Sequence, residues 1–422
     1  MSSNLHDVKN SAWMRSVIIG GGLITIGILA YLGMAVGIGS SYHHIWDDAV
    51  VNYDKVIADG YHTGDAEYEE AKSAKTQAHL SYLTWTTAGK TILIMTGIYA
   101  AFYILTGFFN SIQPEPEHDD HGDGHEEHHG SASPILMAIG LFFFMFGFPG
   151  FVNTCKSMLG LDVTAEFGGF AASILGTCIL IIGIGNWWRE DLSGFHEQIA
   201  YGKPFGGQDI RKAGMWIFLM SEMMVFATFF SSYLRMRTGW CTEWAKDAGK
   251  CNTVDVTTAS DLLRHDIGTL MPGAINTFAL IISSYTIVLA LKTAKDSNWE
   301  PSKNKLLKSL FPTRQLAVRN YLIITLMLGS LFIVLKLIEW SHLVAEGFDI
   351  GTQAGSIFYI ATGAHGLHVF IGLLVMLFLI FKADTVGYSE DNDNAMGIEY
   401  FGLYWHFVDL AWVAIFPAFY LY

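Results

Sequence analysis

The chain has 422 residues, of which 51% are hydrophobic and only 15% charged, and its mean hydropathy is +0.34. This balance excludes an ordinary soluble protein, since repeated long apolar runs override the two or three soluble domains that the length would suggest. The net charge of −14 argues against a nucleic-acid partner, and most of the acidic excess lies in two hydrophilic segments.

Nine apolar runs of about 20 residues predict nine membrane-spanning helices. A helix is expected for each because it satisfies its own backbone hydrogen bonds in lipid. The first run is too long for the apolar region of a signal peptide and lacks an obvious cleavage site, so we expect a retained anchor. The predicted fold is an all-α, polytopic membrane helical bundle, with spans near 13–38, 83–109, 134–155, 168–188, 213–235, 270–293, 319–343, 355–382 and 398–421.

The distribution of lysine and arginine predicts the orientation of the chain, because these residues accumulate in cytoplasmic loops. With the N-terminus inside, fourteen of them fall on the inner side and nine on the outer side, while Lys90 and Lys336 lie within spans. The loop 292–319 holds seven by itself. Nine crossings then place the C-terminus outside.

Two hydrophilic segments interrupt the apolar runs. Residues 39–82 are predicted to form an acidic outside loop whose second half could be a short surface helix. Residues 114–130 mix acids with histidines, a composition that suits either a solvated linker or loose binding of divalent metals. This linker divides the chain into a two-helix extension (1–113) and a larger membrane domain (131–422). Its histidines are His118, His121, His125, His128 and His129.

The four cysteines carry little chemistry. Cys155 and Cys178 belong to helices or their ends, where a buried thiol is a small apolar filler. Cys241 and Cys251 share a predicted outside loop, where the compartment would allow a disulfide between them. The spacing contains no two-cysteine motif for redox chemistry or copper binding.

Ionisable residues inside spans are costly and therefore candidates for function. Span five carries Glu222, and three later spans carry pairs spaced i,i+3, each with two potential ligands on one helix face. Those three faces could build a dinuclear metal site in a bundle core, or the side chains could pair with each other and with backbone to fix helix register. The pairs are Glu339/His342, His365/His368 and His406/Asp409, with Lys336 and Glu399 nearby.

Five motifs occur in order with the spacing of long helices: "NWWRED", "GMWIFLMSEMMVF", "INTFALIISSYTIVLAL", "ATGAHGLHVFIG" and "YWHFVDLAW". Together they resemble subunit III of the haem–copper terminal oxidases, the cytochrome c oxidase family. The resemblance covers about residues 134–422, which is seven spans. The first 130 residues have no counterpart in it.

The resemblance implies a subunit without haem or copper, since those centres lie in partner subunits I and II. It implies two helix bundles that hold phospholipids in a cleft, and a role in stabilising subunit I and supporting proton uptake. Glu222, Glu339, His365, His368, His406 and Asp409 match the family's buried polar positions, and Trp187, Trp188 and Arg189 match its lipid-contacting "WWR". The family has a neutral polar residue where Lys336 stands, so here Lys336 and Glu339 could form an i,i+3 ion pair.

The expected function is therefore that of subunit III in a proton-translocating cytochrome c oxidase of a bacterial, archaeal or inner mitochondrial membrane. A quinol oxidase subunit III and a homologue associated with nitric oxide reductase remain alternatives. A divalent-metal transporter is the alternative from another class, on the strength of the histidine-rich linker and the paired helix ligands. The N-terminal extension could replace a small accessory subunit or dock a neighbouring respiratory complex or cytochrome.

Overall fold

The computed structural model describes residues 2–112, 131–158, 164–192, 199–200, 203–237, 267–302, 304–348, 350–385, 387–388 and 395–421. In these ranges the chain is mostly helical, and the only strand-like feature is an isolated bridge between Ile199 and Asp209. The helices are α1 (Ser2–Ala30), α2 (Gly39–Ala58), α3 (Ala66–Ser111), α4 (Ser133–Met158), α5 (Phe167–Leu192), α6 (Ile210–Arg237), α7 (Ile267–Lys295), α8 (Lys305–Leu310), α9 (Arg314–Ala345), α10 (Gln353–Thr385) and α11 (Ala395–Phe416).

Nine helices in the described ranges are long and apolar enough to cross a membrane. Each overlaps one of the nine predicted spans, and the first two extend well beyond theirs, so the prediction of an all-α polytopic bundle is confirmed. A π-helical segment, Tyr31–Ile38, joins α1 to α2 without a break, and a second one, Pro417–Leu421, follows α11. The chain is an integral membrane protein.

Residues 39–82, for which the sequence predicts an acidic outside loop with a short surface helix in its second half, are helical over most of their length, so the expectation of a loop is corrected while the outside location stays a prediction. These residues form α2 and the first part of α3, joined by a short turn in which Gly60 and Gly64 have φ of 93° and 103°. At 46 residues, α3 is about 70 Å long, roughly twice the thickness of a hydrocarbon core. The segment is hydrophilic because it extends beyond the membrane span, and it is nevertheless helical.

Aromatic and polar contacts hold this helical hairpin together. Trp46 of α2 stacks on His79 of α3, with ring centroids 4.5 Å apart, and also on Tyr82 at 5.8 Å. Further from the span, the hydroxyl groups of Tyr53 and Tyr68 lie 2.9 Å apart. A hydrophilic hairpin therefore acquires a packed interface of its own, since each aromatic pair adds stabilisation beyond the area it buries.

The chain divides into two compact units. The first comprises residues 1–18 and 103–196. Within it α4 and α5 touch at backbone distance: a Cβ atom added to Gly147 would lie 2.4 Å from the backbone nitrogen of Ser173. Close approach through small residues is the usual way for membrane helices to gain packing energy. Near one end of the pair, Asn186 donates a hydrogen bond to the Ser133 hydroxyl at 2.9 Å.

The second unit comprises residues 19–102 and 197–422. Its core lies where α9, α10 and α11 pack with α7, and its largest fully buried side chains are Trp405 and Trp412. Both indole groups donate hydrogen bonds to α7, Trp405 to Ser283 at 2.9 Å and Trp412 to Thr277 at 3.0 Å. Tryptophan thus supplies apolar area while its one donor is satisfied.

Helix α3 contacts α9 within this second unit. The hydroxyl group of Tyr99 lies 2.9 Å from that of Ser330, and the hydroxyl group of Thr84 lies 2.9 Å from Nε2 of His342. Part of the N-terminal extension is therefore bonded directly to the region that resembles subunit III. The predicted division at 114–130 lies outside the described residues and stays a prediction.

Candidate functional site

Two oppositely charged side chains of α9 form an ion pair that is buried in the protein. Lys336 donates to Oε1 of Glu339 at 2.8 Å, and the two side chains are only 3% and 2% exposed. The i,i+3 ion pair expected from the sequence is therefore present. Tyr420 donates to the same carboxylate oxygen at 2.5 Å and also contacts the ammonium group.

Aromatic rings complete the surroundings of this ammonium group. Nζ of Lys336 lies 4.9 Å from the ring centroid of Phe358, 5.2 Å from that of Trp412 and 4.8 Å from that of Tyr420. Such ring faces attract a cation that has lost its water. The Lys336–Glu339 pair thus connects α9 with α10 and with the C-terminal π-helical segment, and it is enclosed within the protein.

A second polar group lies between α6 and α10. Nε2 of His368 lies 3.1 Å from Oε2 of Glu222, and the side chains are 17% and 20% exposed. Tyr404 of α11 donates to the backbone carbonyl of His368 at 2.8 Å, and the Phe226 ring lies 5.4 Å from the imidazole ring. This group is partly accessible, in contrast to the buried ion pair of α9.

The hydrogen bonds of His368 indicate which of its ring nitrogens carries a hydrogen. Nδ1 lies 2.7 Å from the carbonyl oxygen of Ala364, and because a carbonyl only accepts, Nδ1 must carry a hydrogen. Nε2 and the Glu222 carboxyl group then share one proton, held by the acid as a neutral pair or by the imidazole as an ion pair. This shared hydrogen connects α6 with α10 at one defined place.

His365 lies in the core and plays a different part from His368. It is fully buried, and its Nε2 donates to the carbonyl oxygen of Val408 at 3.0 Å, which ties α10 to α11. The rings of Phe332 and Trp412 pack against it at 5.1 Å. Its Nδ1 has no hydrogen-bond partner in the described part of the chain.

His406 and Asp409 are both half-buried on α11. Asp409 lies beside Ser284 of α7 and interacts with His406 of its own helix. One of its carboxyl oxygens, Oδ1, is buried without a hydrogen bond among the described residues. This pair therefore stays on the α7 side of the bundle.

The three i,i+3 pairs do not converge on one point. His342 turns to α3, where it meets Thr84 and the backbone of Leu80, while Glu339 turns to Tyr420. His365 and His368 have separate partners as well. Over the residues that the structure describes, no cluster of three or more His, Cys, Asp or Glu could hold a metal ion.

Other sequence-predicted sites fall at the edge of the described structure or beyond it. Trp187, near the end of α5, is 53% exposed. Trp188 and Arg189 belong to the same helix, but their side chains lie outside the described residues. The linker histidines and the pair Cys241/Cys251 lie outside them too.

The sequence interpretation missed one ionic cluster. Glu399, at the start of α11, receives hydrogen bonds from Lys212 of α6, at 2.6 Å, and from Lys295 at the end of α7. All three residues occupy span ends that the predicted topology places on the same side of the membrane. That shared side was the signal from which the cluster could have been anticipated.

Several known proteins that this chain resembles are named as subunits of oxidases. The profile of the family described as "Cytochrome c oxidase subunit III" matches residues 302–422. Over 311 residues the chain is 27% identical to the "Heme-copper oxidase subunit I+III" of Aeropyrum pernix, covering 72% of this chain and 32% of that protein. The chain thus spans about a third of the length of this relative.

Two shorter relatives are matched over most of their length. Over 215 residues the chain is 32% identical to the "Probable quinol oxidase subunit 3" of Staphylococcus saprophyticus, which covers 50% of this chain and 89% of the relative. Over 210 residues it is 33% identical to the "Cytochrome c oxidase subunit 3" of Alkalihalophilus pseudofirmus, covering 49% and 84%. Since this similarity accompanies nine membrane helices and the ordered motifs, the chain belongs to the haem–copper oxidase subunit III family.

Proposed function

We propose that this chain is the non-redox subunit III of a respiratory haem–copper oxidase, an oxidoreductase that reduces O₂ to water and translocates protons. In this proposal haem and copper are held by subunits I and II, and subunit III stabilises subunit I and supports proton uptake. The relative named "subunit I+III" supports the pairing with subunit I, since its name describes both subunits in one protein.

The Glu222–His368 pair is the observation that carries the role in proton uptake. A residue that supports proton uptake must be reachable from outside its own chain, and these side chains are 17–20% exposed at the surface of the chain. The Lys336–Glu339 pair is enclosed and already compensated, which suits a structural role. In this proposal the Lys336–Glu339 pair of α9 stabilises the fold, and the Glu222–His368 pair between α6 and α10 supports proton uptake.

Lipid contact is proposed at the end of α5. Trp187, Trp188 and Arg189 combine aromatic rings that favour the headgroup level with a guanidinium group that suits a phosphate. The 53% exposure of Trp187 supports this assignment.

The electron donor is either cytochrome c or a quinol, since relatives with both names match this chain. The proposed location is a bacterial or archaeal plasma membrane, or the inner mitochondrial membrane, with the N-terminus inside. The acidic hairpin of α2 and α3 is then on the outer face, where it could dock a further respiratory complex or a cytochrome.

Glu222→Gln tests the proposal in the intact oxidase. Glutamine keeps the volume of the side chain and can donate to Nε2 of His368, so the fold and the haem and copper contents should be unchanged. Initial oxidation of the electron donor should begin near the normal rate, while the enzyme should inactivate several-fold faster during turnover because proton supply fails. Rates and metal contents would be measured on the same preparation.

Ser221→Ala is the matched control. Ser221 is an exposed neighbour whose hydroxyl group, among the residues that the structure describes, bonds only the backbone of Phe218 on its own helix, so its loss should leave turnover stability unchanged. Complete loss of initial activity in an intact Glu222→Gln complex would contradict the proposal and make Glu222 catalytic. Loss of divalent-metal flux with respiration untouched would favour the transporter instead.

A further inference from the structure

The N-terminal extension contains a cavity of its own. It has a volume of about 330 Å³ and lies between α3 and the continuous helix formed by the π-helical segment and α2. Its polar lining consists chiefly of Tyr31, His43, His44, Tyr82, Thr86 and Lys90. All of these residues precede the region that resembles subunit III.

The shape of the cavity follows from the packing of the two helices. They touch where Gly89 meets Ala35: a Cβ atom on Gly89 would lie 2.9 Å from both the Cβ and the nitrogen of Ala35. The π-helical segment Tyr31–Ile38 includes this contact, and widened turns of this kind are frequent at functional sites. Large side chains on either side of the contact then surround a space that the backbones leave open.

Lys90 is an uncompensated cation in this cavity. It lies seven residues inside the second predicted span, about 10 Å along the helix axis from Leu83. It is exposed, and no acidic side chain of the described structure pairs with it. The nearby Asp47 is bonded to His43 at 2.9 Å. An ammonium group at this depth is costly unless an anion meets it or its chain reaches the interface.

Neutral donors face the same space. Tyr82 precedes Lys90 by about two turns of α3, so the two share one helix face. Thr86 lies between them, but its hydroxyl group already donates to the backbone carbonyl of Tyr82 at 2.8 Å. The hydroxyl groups of Tyr31 and Tyr82 have no hydrogen-bond partner among the described residues, and the exposed ring of His44 can donate as well. One cation with several hydroxyl and imidazole donors is the set that recognises phosphate oxygens.

We propose that this cavity binds the phosphate group of an anionic phospholipid. Its volume suits a headgroup, and exposed apolar side chains such as Leu32 and Ile94, 50% and 61% accessible on the same two helices, offer a surface for acyl chains. A free phosphate ion has the same chemistry but would approach past the acidic hairpin surface, which repels soluble anions. A lipid reaches Lys90 laterally, from within the membrane.

Lys90→Met tests this assignment in the full-length protein with its associated subunits, reconstituted in nanodiscs. Spin-labelled phosphatidylglycerol would be compared with spin-labelled phosphatidylcholine. The wild-type protein should prefer phosphatidylglycerol, and Lys90→Met should weaken that binding roughly five- to tenfold while leaving phosphatidylcholine unchanged. Tyr31→Phe, which removes one hydroxyl group, should produce a smaller loss with the same selectivity.

Lys55→Met is the matched control, because Lys55 is an exposed lysine of α2 outside the cavity, and it should retain the preference. Circular dichroism would establish that each variant is folded. Unchanged phosphatidylglycerol binding in folded Lys90→Met, or equal affinity of the wild type for both lipids, would overturn the proposal. So would displacement of the lipid by inorganic phosphate, or a zero-length cross-link from Lys90 to a carboxylate of a neighbouring subunit.

Discussion

Lys336 and Glu339 lie three residues apart on α9, and each is tolerated because of the other. Both side chains are almost fully buried, so an unpaired charge at either position would retain its desolvation cost without compensation. Tyr420 and three aromatic rings surround the ammonium group in addition. The carboxylate of Glu339 is stabilised through Oε1 alone, since Oε2 has no hydrogen-bond partner in the described structure.

Lys336→Met should destabilise the protein by about 3–5 kcal/mol, because it leaves the Glu339 carboxylate buried without its cation. The double variant Lys336→Met/Glu339→Gln should recover much of that loss, since no unpaired charge remains. Thermal unfolding of the purified protein would measure both. Lys292→Met, at an exposed lysine of α7, should be near neutral. A double variant less stable than Lys336→Met would contradict the pairing argument.

At the scale of the element, the hairpin of α2 and α3 shows that hydropathy and helicity are separate properties. Residues 39–82 are too polar to remain in lipid, so the predicted spans end at residue 38 and resume at residue 83. Yet the chain remains helical, because the polar part of α3 is rich in the strong helix formers Ala, Glu and Lys, and the aromatic contacts of Trp46 hold α2 against it. Hydropathy averaged along the chain indicates which residues can lie in lipid, but it does not indicate where a helix ends.

Gly89→Ala should open this hairpin, because the added methyl group would press on the backbone of Ala35, which cannot move as a side chain can. Overpacking of this kind costs about 1–3 kcal/mol. Gly97→Ala is the control on the same helix, where no atom of the described residues lies within 4 Å of the new atom. It should be neutral or stabilise by about 1 kcal/mol. The unfolding temperatures of the two variants would be compared, and equal values would contradict the close contact between Gly89 and Ala35.

At the scale of the second compact unit, ionic contacts gather helix ends on a common side. Glu399 connects the start of α11 with the start of α6 and the end of α7. Arg319, near the start of α9, bonds Asp384 at the end of α10 at 2.9 Å. Successive antiparallel crossings require these ends to share a side, and the positive-inside argument assigns that side to the cytoplasm.

Ser302→Cys tests this orientation, because Ser302 is exposed in the lysine-rich loop between α7 and α9. A membrane-impermeant thiol reagent should label it from the inner side only, and the C-terminus should be accessible from the outer side. The native cysteines would be replaced by serine or alanine beforehand, so that any signal belongs to the introduced thiol. Labelling from the outer side in sealed vesicles would reverse the predicted topology.

The sequence predicts part of the candidate site, and the remainder depends on contacts between distant segments. The ion pair of Lys336 and Glu339 was anticipated because both residues lie on one helix, where i,i+3 spacing fixes their proximity. The partners Tyr420, Thr84 and Glu222 were beyond reach, because each lies 81 or more positions away from the residue it bonds. No local pattern encodes which faces of two distant helices will meet.

The sequence by itself determined the class of this protein, because lipid admits a helix wherever about 20 apolar residues follow one another. It determined the nine spans and, through the ordered motifs, the family. Only the tertiary structure decided that Lys336 and Glu339 are enclosed by protein while Glu222 and His368 are partly exposed, and that Lys90 lines a cavity together with Tyr31 and Tyr82. Those outcomes depend on helix rotation and contact, which arise from packing among distant segments and are specified by no single stretch of chain.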